Sequence, residues 1–156
     1  MKTRTLVVIG VMLFVFADAA TSSATAQRKS PARREVKVYF YHDPGEYIDL
    51  SPVTRSVSAT APARAAVDIL LKGPTARERK KGFDSLDSAG EFRIGSLSIK
   101  DGTARINFVS RHSWYGWAGD TAPIRFKKAV ELTLKQFPTV QHVIVSLNGE
   151  TRFDEG

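Results

Sequence analysis

The chain has 156 residues, 23 Lys+Arg against 16 Asp+Glu, 42% hydrophobic residues and no cysteine. That length suits one domain, and an ordinary apolar content with nine Phe excludes a wholly disordered chain. The missing cysteine excludes disulfides, thiolate catalysis, cysteine-ligated zinc and a lipid-modified N-terminal cysteine.

Lys2 and Arg4 precede an uncharged apolar run from Leu6 to Ala17. A run of about 12 residues falls short of the roughly 20 that span a bilayer. Ala17-Asp18-Ala19 and Ala24-Thr25-Ala26 are small-x-small cleavage candidates. Residues 1–26 therefore read as a signal peptide cut after Ala26, which makes the protein exported, periplasmic or extracellular, and not a lipoprotein. Its removal lowers the formal charge from +7 to +6, and residues 27–34 carry four positive charges and no negative one. Residues 27–35 read as a basic flexible tail, and membrane contact is expected at most through it. The remaining body is nearly neutral, so no nucleic-acid partner is expected.

Val36, Val38 and Phe40 alternate with Lys37, Tyr39 and Tyr41, a strand that ends in the turn residues Asp43-Pro44-Gly45. Residues 47–59 are ambiguous, with Tyr47, Ile48 and Leu50 able to form an irregular extended piece before Pro52. Thr60 is placed to cap a helix with Pro62 in its first turn. That helix carries Ala63, Ala66, Val67, Leu70 and Leu71 on one stripe and stops at Gly73-Pro74. Thr75-Ala76-Arg77-Glu78 has capping-box spacing and predicts a second short helix over 76–81. A hairpin follows: Phe92 to Ile99, the turn Asp101-Gly102, then alternating Ala104, Ile106 and Phe108. After a polar and aromatic loop, Phe126, Ala129, Val130, Thr133, Leu134 and Phe137 lie on one face of a helix that Pro138 ends. Val140 to Leu147 is β-branched and closes at Asn148-Gly149, with residues 151–153 left for a short edge strand.

The order β-α-α-β-β-α-β predicts an α+β domain over 36–153. It is expected as a two-layer sandwich, a four- to five-stranded mixed sheet with two main helices on one face.

Four stretches in sequence order carry a family resemblance. Leu70-Leu71-Lys72-Gly73-Pro74-Thr75-Ala76-Arg77-Glu78, followed by Gly82, resembles the "L-x-G-P-T-x-x-E…G" stretch of the GerMN domain, a family named for sporulation and spore germination. Residues 99–108 resemble its "dG-x-a-x-V-d-f" hairpin, residues 132–140 its "TL-x-qfp-x-V" helix end, and residues 143–149 its "V-x-i-x-v-x-G" strand. The resemblance implies an exported envelope module similar in fold to ring-building motifs of secretion and sporulation assemblies. It implies no catalytic residues, and hence a protein that is not an enzyme. The chain has one such domain where the sporulation protein has a tandem pair, and it lacks the lipoprotein cysteine common among relatives.

Few residues invite chemistry. His42-Asp43, with Glu46 and Asp49 nearby, could orient a base or hold a metal, but the spacing matches no ligand set, and a hydrolase there is the remote alternative. No serine sits in a G-x-S-x-G elbow, and no glycine-rich phosphate loop is present. Neither a cofactor nor a metal is therefore expected. The stronger candidates for binding are Trp114, Tyr115 and Trp117, because both tryptophans lie in one glycine-flanked loop over 113–119. Such rings stack on sugars, anchor a protein partner, or tuck under the loop as a plug. The sequence thus points to an envelope protein partner or self-assembly through sheet edges and this loop, with cell-wall glycan (peptidoglycan) as the alternative.

Overall fold

The computed structural model describes residues 32–43, 49–85, 91–110 and 121–152. Among the described residues, six strands and three helices follow in the order β1 (Arg33–His42), β2 (Asp49–Ser58), α1 (Pro62–Lys72), α2 (Ala76–Arg79), β3 (Phe83–Asp84), β4 (Arg93–Lys100), β5 (Thr103–Val109), α3 (Ala122–Lys135) and β6 (His142–Leu147). The class is α+β as the pattern predicts. The strands divide into two three-stranded sheets, β2-β1-β3 and β4-β5-β6, rather than forming one sheet of four or five.

In the first sheet β1 is central and buries Val36, Val38 and Phe40 on one face, the period-2 pattern of a half-covered strand. It begins at Arg33, so Arg33–Glu35 of the expected tail are strand. The ambiguous stretch is a full partner: β2 pairs antiparallel with β1 from Arg33↔Ser58 to His42↔Asp49. Pro52 is compatible because of its register. Lys37 and Tyr39 turn their N–H groups toward α3, so Tyr39↔Pro52 carries no ladder bond and the missing proline N–H faces outward.

Helix α1 buries Ala63, Ala66, Val67 and Leu70, as its stripe requires. Its N-cap is Ala61, not Thr60, and no side chain caps it. The capping box of α2 is complete, but the helix stops at Arg79, two residues before the predicted end. Gly82 takes φ +87°, and a Cβ there would lie 2.5 Å from the Asp43 carbonyl oxygen, so only glycine permits the Asp43–Gly82 approach.

The second sheet starts as the predicted hairpin, with Asp101 and Gly102 both at positive φ (50° and 73°), as a type I′ turn demands. A bulge between Ile94 and Ser96 lies at Gly95. The chain then crosses through α3 and returns as β6, parallel to β5. Past β6, Asn148 and Gly149 form a tight turn closed by the single bridge Leu147↔Glu150; of the expected edge strand over 151–153, Thr151 and Arg152 are not strand and Phe153 lies outside the described residues. Asn107 Oδ1 holds that turn, accepting from Gly149 N and Ser146 Oγ, each at 2.9 Å.

Helices α1 and α3 pack on one another and tie the sheets into one core, α1 against β1, β2 and β4, and α3 against β1 and β6. Phe126 of α3 is the junction, 5.0 Å from the Phe108 ring and 5.2 Å from that of Phe92.

Candidate functional site

Trp114, Tyr115 and Trp117 lie outside the described residues, as do His112 and Glu46. His42 is half-buried at the end of β1. Its Nε2 is 3.1 Å from the Lys81 carbonyl oxygen, and its ring stacks on Phe83 at 4.3 Å. Asp49 stands opposite it in register and accepts the Leu50 N–H at 2.7 Å. Among the described residues no three His, Asp or Glu side chains gather as a metal site would require. Here His42 packs the β1–β3 junction. His142 is exposed on β6.

The strongest electrostatic feature among the described residues joins two elements that no sequence spacing pairs. Arg55, in the middle of β2, meets Glu78 of α2 fork to fork, at 2.7 Å (Nη1–Oε1) and 2.5 Å (Nη2–Oε2). The same carboxylate takes the Thr75 N–H at 2.8 Å, closing the capping box. The Arg55 hydrogen bonds, offset in part by burial and assisted by Thr75, hold the Glu78 carboxyl at about 2. Arg55 also lies 6.0 Å over the Phe40 ring. This knot fastens β2 to the α1–α2 connection. It occupies the single acid of the 77–81 run, so Arg77, Arg79, Lys80 and Lys81 form an exposed positive face.

The sheet margins differ in how their backbone is treated. On β2, Pro52 offers no N–H, and the outward carbonyls of Thr54 and Ser56 accept from Arg55 Nη1 (3.2 Å) and Arg33 Nη2 (2.6 Å). On β1, Gln136 substitutes for a neighbouring strand. Its Oε1 accepts the Lys37 N–H at 2.7 Å, and its Nε2 donates to the Lys37 carbonyl at 2.6 Å. Thr133 Oγ1 takes the next outward N–H, that of Tyr39, at 3.4 Å. β6 turns back on itself, Leu147 N–H donating to Glu150 O at 2.9 Å.

On β4, a two-residue turn makes Lys100↔Thr103 a hydrogen-bonded pair, and with it Ser98↔Arg105. The backbone groups of Leu97 and Ile99 therefore point away from β5. They have no hydrogen-bond partner among the described residues.

Beside this edge lies an open groove of about 630 Å³, formed where the start of β1, the start of α1, β4 and the end of α3 converge. Leu97, Ile99, Pro62, Ala63, Phe137 and Pro138 make it apolar. Ile99 is 38% exposed, one of two large apolar side chains so placed among the described residues. Arg34 and Arg64 stand at the groove with no acidic residue in its lining, and Arg34 lies 5.4 Å over the Phe137 ring. Because α1 starts here uncapped and without an acid in its first turn, its N-terminal field adds to theirs. No sequence spacing assembles this groove, since its walls come from residues 34, 60–64, 97, 99 and 137–139. The one local signal was Ile99, an apolar residue next to the turn of an outer strand.

Two comparisons describe what the chain is similar to. The structure of the tandem GerMN domains of the sporulation protein GerM from Bacillus subtilis superposes with a TM-score of 0.60 at 23% identity, covering 81% of this chain and 43% of that one. The chain thus spans less than half of that tandem structure. The first GerMN domain of the same protein gives a TM-score of 0.56 at 21% identity, covering 77% of this chain and 85% of that one. No curated protein matches the chain. At these identities the structures speak for the fold. Membership rests on the family model described as "Germane: Sporulation and spore germination", which matches residues 37–153. A match over three quarters of the sequence, with the Gly73-Pro74-Thr75…Glu78 knot and the Asp101-Gly102 hairpin inside it, shows that the chain belongs to the sporulation and spore germination family of GerMN-type domains.

Proposed function

We propose that this chain is an exported, non-catalytic binding module of the bacterial cell envelope, and that it works by holding a protein partner. The observation carrying this reading is the contrast among margins: β1 and β2 are covered by side chains, while β4 keeps two residues' backbone groups open beside an apolar groove. An open edge is the feature that strand-adding partners use. Export follows from Lys2, Arg4 and the apolar run before Ala26. Family membership supports the module character. Wall-glycan binding through Trp114, Tyr115 and Trp117 is the competing reading.

The test is photo-crosslinking in the exporting cell, with benzoylphenylalanine replacing Thr54, Ser98 or Tyr115 one at a time. Discrete protein adducts from position 98, and none from position 54, are expected. Purified sacculi provide the counter-test. Pelleting that survives moderate salt and vanishes in the Trp114→Ala/Trp117→Ala double variant replaces the protein-partner reading with the glycan one. Pelleting lost with salt is charge attraction by the basic tail and leaves the protein reading standing.

A further inference from the structure

We propose that the groove beside β4 takes an extended polypeptide segment, paired edge-on with Leu97 and Ile99, whose groove-facing side chains are apolar with a carboxylate between Arg34 and Arg64. This inference rests on the binding-module reading and names the partner's chemistry.

Three observations converge on that occupant. The outward N–H and C=O groups belong to Leu97 and Ile99, and the side chains of the same two residues line the groove. A strand added here would satisfy the backbone and send alternate side chains onto the apolar floor, because neighbouring strands share one pleat. The groove of about 630 Å³ has the size of sites that enclose a few side chains. The third observation is charge. Arg34 and Arg64 are exposed, neither is paired with a carboxylate among the described residues, and Arg64 itself sits in the uncapped first turn of α1. A carboxylate on the incoming segment would meet a positive field from all three. A basic segment would meet repulsion, and a sugar would leave the apolar floor and the edge amides unmatched.

The experiment follows the backbone amides of the processed, secreted chain by ¹H–¹⁵N NMR during titration with a seven-residue peptide. The peptide alternates serine with valine, valine and aspartate. Saturable shifts at Leu97 and Ile99 are expected. Replacing the aspartate by lysine should weaken binding at least tenfold, and N-methylation of alternate residues should abolish it. Arg34→Glu/Arg64→Glu should invert the preference between the two peptides. Ile99→Lys should lose binding while keeping the wild-type circular dichroism and melting temperature. Equal affinity for the aspartate and lysine peptides overturns the proposal, and so do shifts that bypass β4. If the groove fails while position 115 still yields protein adducts in the cell, the inference falls and the binding-module reading survives. Absence of adducts from positions 98 and 115 alike removes both.

Discussion

β2 and β4 are both outer strands, with the covering helices on one side, but their free margins are built differently. On β2, one proline and two arginine side chains occupy the outward positions at 52, 54 and 56. The inner strand β1, left open by the two-residue β3, is closed by the amide of Gln136. Along 97–99, β4 has no such device among the described residues. Unprotected edges invite association. Among the described residues the first sheet's margins are covered and the second sheet is open along 97–99, where the partner proposed above would add its strand.

That comparison can be broken at several strengths. The deepest cut asks whether the sheets share one core at all. Phe40→Ala in the first sheet and Phe108→Ala in the second should each cost about 3–5 kcal/mol. Each variant should unfold in a single urea transition seen alike by circular dichroism and amide NMR. Separate transitions for the two sheets would make them independent units and empty the comparison of meaning.

Next is the Arg55–Glu78 knot that holds β2 to α2. A carboxyl held at about 2 when folded, against 4.5 when free, stabilises the fold fully above pH 4.5 and loses that contribution as pH falls toward 2. The shift corresponds to about 3 kcal/mol at most. Glu78→Gln should therefore lower the melting temperature at pH 7 and flatten the acid limb of stability between pH 4.5 and 2. A variant with the wild-type acid limb would show that the pair contributes nothing to folding.

The amide that closes β1 gives a smaller effect of a different kind. Gln136→Ala exposes the Lys37 N–H and carbonyl and should cost about 1–2 kcal/mol. It should also raise self-association in sedimentation velocity, because a covered margin becomes an open one. At the weak end, Ile99→Lys should change stability by no more than about 0.5 kcal/mol, as at an exposed position where no core packing is lost. A large loss of denaturant stability there would mean that the groove is part of the core and not a surface for a partner.

What could be read from the sequence was whatever a local period or a turn residue encodes. The α1 stripe, the Thr75–Glu78 box, the Asp101-Gly102 hairpin and the α3 face all follow from spacing within one element. The β2 strand is hidden in the sequence because its inward positions, the half-buried Ser51, Val53 and Arg55 and the buried Val57, do not form a clean apolar alternation. Arg55 is tolerated there only because Glu78 arrives from a different element. The division into two sheets depends on which strands find each other across α1 and α3, and no spacing rule carries that. The groove was equally hidden: Arg34, Pro62, Ile99 and Phe137 are each ordinary in their own surroundings and become a site only by convergence.

The parallel pairing of β6 on β5 also has a kinetic meaning. β1 with β2, and β4 with β5, are neighbours in the chain that can close early. β6 must wait for the whole passage through residues 110–141, including α3, before it meets β5. Until then Ala104, Ile106 and Phe108 lack the strand beside them. The second sheet is therefore complete only once α3 has been passed, and its two-stranded precursor exposes a second open margin on β5 that β6 conceals in the finished fold.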